Sequence, residues 1–293
     1  MSPEVRADTD HAVPTRILVE SMLRADATVD AGELYDVANT LGMSDQQVRL
    51  CIKRLVAEGQ FVQDGRGRKA VLRATPEMRS TIEPDLEFVR YMYAQDRGQA
   101  DWDGRWHVVA FAIGESARSA RDSMRDAVLR LGGAPVQGGL YVSPNEWEPY
   151  VQAAAERFGV ADRVTTLTTT DLTVGGVSEA RALAEGLWPL DRIADGHHRL
   201  LATARRAAQE LEGAARATRL SIAIELAAEF TRAVEPDPLL PPQLLPQPWI
   251  GGAARAAVVD CWSDLLQDNQ DEPLKLFRWY GDVIAEVAGI VHE

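Results

Sequence analysis

The sequence has 293 residues, 46% of them hydrophobic and 26% charged, with a formal net charge of −13. That balance excludes a disordered or low-complexity chain, and no run approaches the ~18 consecutive apolar residues of a membrane span. The length predicts two or three domains at roughly 100–150 residues each. A pI near 4.9 argues against a surface coated in nucleic acid and leaves room only for a local basic patch.

The opening MSPEVRADTDHAV is polar and mixed in charge, without the apolar core of a secretory signal, so a cytoplasmic location is expected. Val13, Ile17, Leu18 and Met22 mark a first helix. Asp30 with Glu33 opens a second, whose apolar face is Leu34, Val37, Ala38 and Leu41. After a short LGMS turn, Ser44 followed by Gln47 has the capping-box pattern and starts a third helix at about Asp45. Val48, Cys51, Ile52 and Leu55 form its buried stripe, and Gln46, Arg49, Leu50, Lys53 and Ala57 its opposite face. Gly59 is placed to end it. QFVQ and KAVLR then read as two strands joined by DGRGR. Three helices and a hairpin make a winged helix-turn-helix over residues 1–75, with the third helix in the major groove and the hairpin tip near a phosphate.

Residues 44–73 carry seven cations, Arg49, Lys53, Arg54, Arg66, Arg68, Lys69 and Arg73, against three acids, Asp45, Glu58 and Asp64. Such clustering in an acidic chain is what phosphate neutralisation requires. Gln46, Gln47 and Arg49 are expected to reach base edges, because amide and guanidinium forks match adenine and guanine. Lys53, Arg54, Arg66, Arg68 and Lys69 are expected to hold phosphates. The reading requires that this face be exposed and that its cations not be tied to carboxylates of their own chain.

Further along, Pro76 to Gly98 reads as a connecting helix (residues 76–100) with Leu86, Val89, Met92 and Tyr93 buried. WHVVAFAI is a strand, Ser116 to Leu131 a helix, GGLYVSP a strand, EWEPYVQAAAERFG a helix and RVTTLTTTDL a strand. That β-α-β-α-β order predicts a ferredoxin-like α/β domain over 101–180. GGAPVQGG is not a phosphate cradle. Residues 181–293 read as a helical domain, with Gly186, Gly196 and Gly213 as possible breaks. In it, EPDPLLPPQLLPQPW is a rigid connector whose leucines and Trp249 pack inward, or else a polyproline ligand. A helix ARAAVVDCWSDLLQ and the tail KLFRWYGDVIAEVAG follow. The overall class is α+β and multidomain. Cys51 and Cys261 read as small buried hydrophobes, His107 as a core or edge residue, and the adjacent His197 and His198 point apart. Tryptophans 102, 106, 188 and 249 are core anchors or line a pocket. No nucleophile motif, metal set or cofactor motif stands out.

DWDGRW, LWPLDRIA and DPLLPPQLLPQPWIGGAAR, in that order and spacing, resemble the boxes of the PaaX family of bacterial transcriptional regulators. SDQQVRLCIKRLVAEGQ is similar to that family's SERAVRTALSRLVREGW-type helix, matching at Ser44, Val48, Arg49, Arg54, Leu55, Glu58 and Gly59. It departs at Gln47 and Lys53, and the aromatic pair of the wing strand is missing. The resemblance implies a homodimeric regulator, usually a repressor, on a palindromic operator in double-stranded DNA. It also implies a small-molecule effector of the aryl- or acyl-CoA class. Two other readings stay open: a protein-interaction module without DNA binding, and a metal-dependent nuclease built on the ferredoxin-like domain. For the nuclease, Ala112 stands where an acid belongs, and Glu115 lies outside the strand.

Overall fold

A computed structural model describes residues 15–24, 26–267 and 286, with residues 77 and 79–86 by backbone alone. Val13, the side chain of Leu86 and, apart from Glu286, the tail KLFRWYGDVIAEVAG lie outside the described residues. Among the described residues the chain is mixed α+β, with ten α-helices and two small antiparallel sheets. It packs as two compact units: Met1–Val89 with Arg206–Ala227 and Val259–Glu293, and Arg90–Arg205 with Ala228–Val258.

In the first unit, α1 (Thr15–Ser21), α2 (Ala31–Thr40) and α3 (Asp45–Ala57) stand beside a sheet of β1 (Thr28–Asp30), β2 (Phe61–Asp64) and β3 (Val71–Ala74). Its strand order is β1-β3-β2, with Val29 opposite Leu72 and Phe61 opposite Ala74. Asp30 caps α2 by accepting from the Glu33 backbone N–H at 2.9 Å. β1 goes beyond the sequence reading: three residues, TVD, are too few for an alternation pattern to register. Leu18, Val29, Leu34, Val48, Leu55, Phe61 and Leu72 are each no more than 1% exposed. Each buried side chain of that size contributes about 1.5–3 kcal/mol. Val19 is buried in α1 where Ile17 is only half-buried, so the inward stripe is turned one position from the expected one. α4 (Pro76–Asp96) follows, a helix where the sequence predicts one, with Val89, Met92 and Tyr93 buried.

The second unit holds β4 (Trp106–Phe111), α5 (Arg118–Arg130), β5 (Ala134–Gln137), β6 (Leu140–Ser143), α6 (Glu148–Arg157) and β7 (Val164–Thr169). The strands pair antiparallel in the order β5-β6-β4-β7. The succession is therefore β-α-β-β-α-β, one strand more than expected. β5 was hidden in GGAPVQGG because Pro135 and flanking glycines read as loop, whereas proline is tolerated on an edge strand with a register shift such as this one. β4 reads as a near-continuous apolar run because both its faces are covered. Trp106 and Val108 pack with Trp188, Leu240 and Leu244, while Val109 and Phe111 pack with Met124, Val128 and Trp147.

α7 (Ala180–Leu187), α8 (Leu190–Leu211), α9 (Arg216–Val234) and α10 (Ile250–Gln267) complete the described chain. Gly213 separates α8 from α9, but Gly186 and Gly196 lie inside helices and break neither. A Cβ on Gly196 would stand 3.6 Å from the Ala233 Cα, an ordinary contact distance.

The proline-rich segment between α9 and α10 is a strap whose Leu239, Leu240, Leu244 and Leu245 are buried. Asp237 Oδ2 lies 2.7 Å from His197 Nε2 and 3.5 Å from Arg255 Nη1, and its Oδ1 accepts from the Leu239 N–H at 2.9 Å. Arg255 also donates to both carboxylate oxygens of Asp96, at 2.6 and 2.5 Å. Leu239 has φ +51°, a left-handed conformation that a leucine holds only when its surroundings impose it. Its carbonyl is fixed by Gln95 Nε2 at 2.8 Å and Asn145 Nδ2 at 2.9 Å.

Candidate nucleic-acid interface

α3 begins where its sequence dictates. Ser44 Oγ accepts from the Gln47 N–H at 3.3 Å, and Gln47 Oε1 accepts from the Ser44 N–H at 2.8 Å, so both arms of the capping box form. Val48, Ile52 and Leu55 are buried, Cys51 half-buried, and Gly59 follows the helix with φ +72°. The basic face therefore looks outward. The hairpin turns through Gly65 (φ +86°) and Gly67 (φ +60°), conformations that leave Arg66, Arg68 and Lys69 at its tip.

All eight candidate residues, Gln46, Gln47, Arg49, Lys53, Arg54, Arg66, Arg68 and Lys69, are exposed. They divide into two groups. Among the described residues, Arg49, Lys53, Arg66 and Lys69 have no carboxylate within ion-pair distance, and the Gln46 side chain makes no hydrogen bond. The other three are engaged. Gln47 gives its Oε1 to the cap. Arg54 Nε donates to Glu58 Oε1 at 2.8 Å, and Glu58 also takes Arg16 Nη1 at 3.1 Å. These arginines, with the Arg54 hydrogen bond foremost, hold the Glu58 carboxyl below its usual range. Arg68 donates to Asp36 at 2.6 Å, lies 3.8 Å from Asp45, and sits over the Tyr35 ring at 5.3 Å. The expectation of a face free of internal carboxylates thus holds for four of the six cations and not for Arg54 and Arg68. Both pairs are solvent-exposed, and exposed pairs contribute only about 0–1 kcal/mol, so a phosphate competes with them readily. A 330 Å³ cleft separates α3 from the hairpin, with Arg49, Lys53 and Val56 on one side and Gln63 and Gly67 on the other.

Sequence reasoning overlooked Tyr35. Its ring position beneath Arg68 depends on a contact between residues 33 positions apart, and no local pattern signals that.

The remaining chemistry-bearing groups lie in the second unit. His107 is buried with Nδ1 2.7 Å from Glu148 Oε1. His197 is wholly buried against Asp237, while the neighbouring His198 is exposed. Among the described residues no group of three or more His, Cys, Asp or Glu is arranged to hold a metal ion, and no helix is long and apolar enough to cross a membrane. Trp106 stacks on Trp188 in the core at a centroid separation of 6.4 Å, the half-buried Trp102 meets Trp106 edge-to-face at 5.3 Å, and Trp188 Nε1 donates to the Gly132 carbonyl at 2.9 Å.

Comparison with known proteins agrees with the boxes seen in the sequence. Residues 99–184 match the family model described as the PaaX protein central Cas2-like domain, and residues 188–272 match that of the PaaX-like protein C-terminal domain. The transcriptional repressor PaaX of Escherichia coli (strain K12) is 25% identical over 239 residues, covering 79% of this chain and 72% of the repressor. The solved structure of the uncharacterized protein Rv0674 from Mycobacterium tuberculosis superposes with a TM-score of 0.56 at 23% identity, over 95% of this chain and 99% of that one. The chain belongs to the PaaX family of transcriptional regulators.

Proposed function

We propose that the chain is a repressor that binds double-stranded DNA through a winged helix-turn-helix spanning residues 15–75. The observation that carries the proposal is the outward face of α3. It is capped at its start, it is rich in amide and cation, and it stands beside a hairpin tip carrying further cations. The candidate residues lie outside both matched family ranges, so their assignment stands on this geometry. Gln46 and Arg49 reach base edges in the major groove. Lys53, Arg66 and Lys69 hold phosphates, joined by Arg54 and Arg68 once phosphate displaces their carboxylates. Gln47 joins Gln46 and Arg49 at the base edges through its side-chain amide N–H groups, while its Oε1 caps the start of α3.

The β-α-β-β-α-β unit, with strand order β5-β6-β4-β7, supports a ferredoxin-like central domain, followed by a helical C-terminal domain. In this proposal two copies bind a palindromic operator, with recognition helices about 34 Å or a multiple apart. A small-molecule effector of the acyl-CoA class, taken up by the acidic remainder, biases that spacing and releases the DNA. The chain is a regulator and not an enzyme.

The test is affinity for the gene's own upstream region as a function of salt. Five phosphate-holding cations per protomer predict a log–log slope of roughly −4.5 per protomer. A slope near zero, with no fragment preferred, would overturn the DNA-binding assignment.

A further inference from the structure

Leu50 is 60% exposed, more than any other large hydrophobic side chain among the described residues. A single exposed leucine is ordinary on a protein surface, but its bearing on α3 is not. With about 100° between successive residues of a helix, the buried stripe of Val48, Ile52 and Leu55 has a well-defined opposite pole. Leu50 lies within about 15° of that pole, flanked by Gln46 one turn before it and Lys53 one turn after. Arg49 and Arg54 stand further to either side. A helix seated in the major groove turns its pole toward the floor of base edges, and the long side chains beside the pole reach base edges or backbone. The two side chains nearest that pole, Leu50 at mid-helix and the small Ala57 at the helix end, are therefore apolar, able neither to give nor to accept a hydrogen bond.

The major-groove edges of the bases offer one apolar group, the C5-methyl of thymine. Resting on the DNA-binding reading above, we infer that Leu50 is a specificity-determining residue that packs against a thymine methyl in each half-site. Gln46 and Arg49 then read the polar edges of neighbouring base pairs. Leu50 thus adds a requirement for thymine at the position beneath the helix centre, which amide and guanidinium contacts alone would not impose.

The full-length protein and two versions of one DNA test this. The gene's own upstream region is amplified once with dTTP and once with dUTP, so that the second fragment differs only by lacking every thymine methyl. Binding is measured at fixed salt by fluorescence anisotropy for the wild type and for Leu50→Ala, whose folding is verified by thermal melting. The wild type should bind the thymine fragment about fourfold more tightly for each methyl contacted, the transfer value of one buried carbon. Leu50→Ala should bind both fragments equally, near the wild type's level on uracil DNA. Equal wild-type affinity for the two fragments would overturn the inference while leaving DNA binding intact. So would a thymine preference that survives in Leu50→Ala. Failure to bind the thymine fragment at all would remove the DNA-binding reading, and this inference with it.

Discussion

Asp36 restrains a cation that faces the proposed DNA. Its carboxylate takes Arg68 at 2.6 Å, while Asp45 is a weaker second partner at 3.8 Å and the Tyr35 ring supports the guanidinium at 5.3 Å. Asp36→Asn removes the strong partner and keeps the aromatic support, so Arg68 stays at the hairpin tip with its charge free. The cost to the fold is small. The pair is exposed on both sides, with side-chain exposures of 48% for Arg68 and 65% for Asp36, which limits its worth to about 1 kcal/mol at most. The gain on DNA is the competition removed: in the wild type a phosphate must first displace Asp36, and the variant spares that cost of at most about 1 kcal/mol, which is up to roughly fivefold tighter binding per protomer. Titrations of a labelled fragment at four or five salt concentrations measure affinity and slope together. Lys69→Ala serves as the opposing control, with a slope shallower by about 0.9 and all sequences weakened alike. An Asp36→Asn protein with unchanged slope and affinity would refute the argument, because Arg68 would then not be facing phosphate.

Four other outcomes are expected. Arg49→Ala should relax sequence preference at one base pair by about 1–3 kcal/mol, read by competition with single-substitution operators. Ser44→Ala should lose about 0.5–2 kcal/mol in urea denaturation, since it removes one arm of the capping box. Asp237→Asn should cost about 3–5 kcal/mol, because it removes a carboxylate shared by His197 and Arg255 in a buried setting. Glu148 supplies a pH dependence. Burial pushes its carboxyl upward, but hydrogen bonds from His107 and from backbone N–H groups outweigh that and hold it below the usual carboxylate range. A depressed folded pKa stabilises the protein above the ordinary carboxylate value, and the contribution is lost as pH falls through the folded one. Melting temperatures of wild type and Glu148→Gln should therefore converge as pH falls below the ordinary carboxylate range.

The site was more legible than its electrostatics. α3 could be placed to the residue because a serine cap, a glutamine three positions on and a 3.6-residue apolar stripe all act within one helix. The pairings of Arg68 with Asp36 and of Arg16 with Glu58 join residues 32 and 42 positions apart, and only the tertiary fold brings them together. In the fold, β1 was too short and β5 too rich in turn-formers to register as strands. The strap leucines, by contrast, followed from composition, because so many apolar residues between prolines have to be covered.

The strap also sets a timetable for the ribosome. Gln95 waits for Leu239, 144 positions later, Asn145 for Pro238, 93 later, and Asp96 for Arg255, 159 later. Contacts of such long sequence separation form slowly and late. The four-stranded sheet can be synthesised well before the segment that latches it, and until that segment emerges the apolar groups around Trp106 and Trp188 lack their covering leucines. A nascent chain arrested before residue 237 would thus carry a finished basic helix joined to an unclosed second unit, a species prone to aggregation.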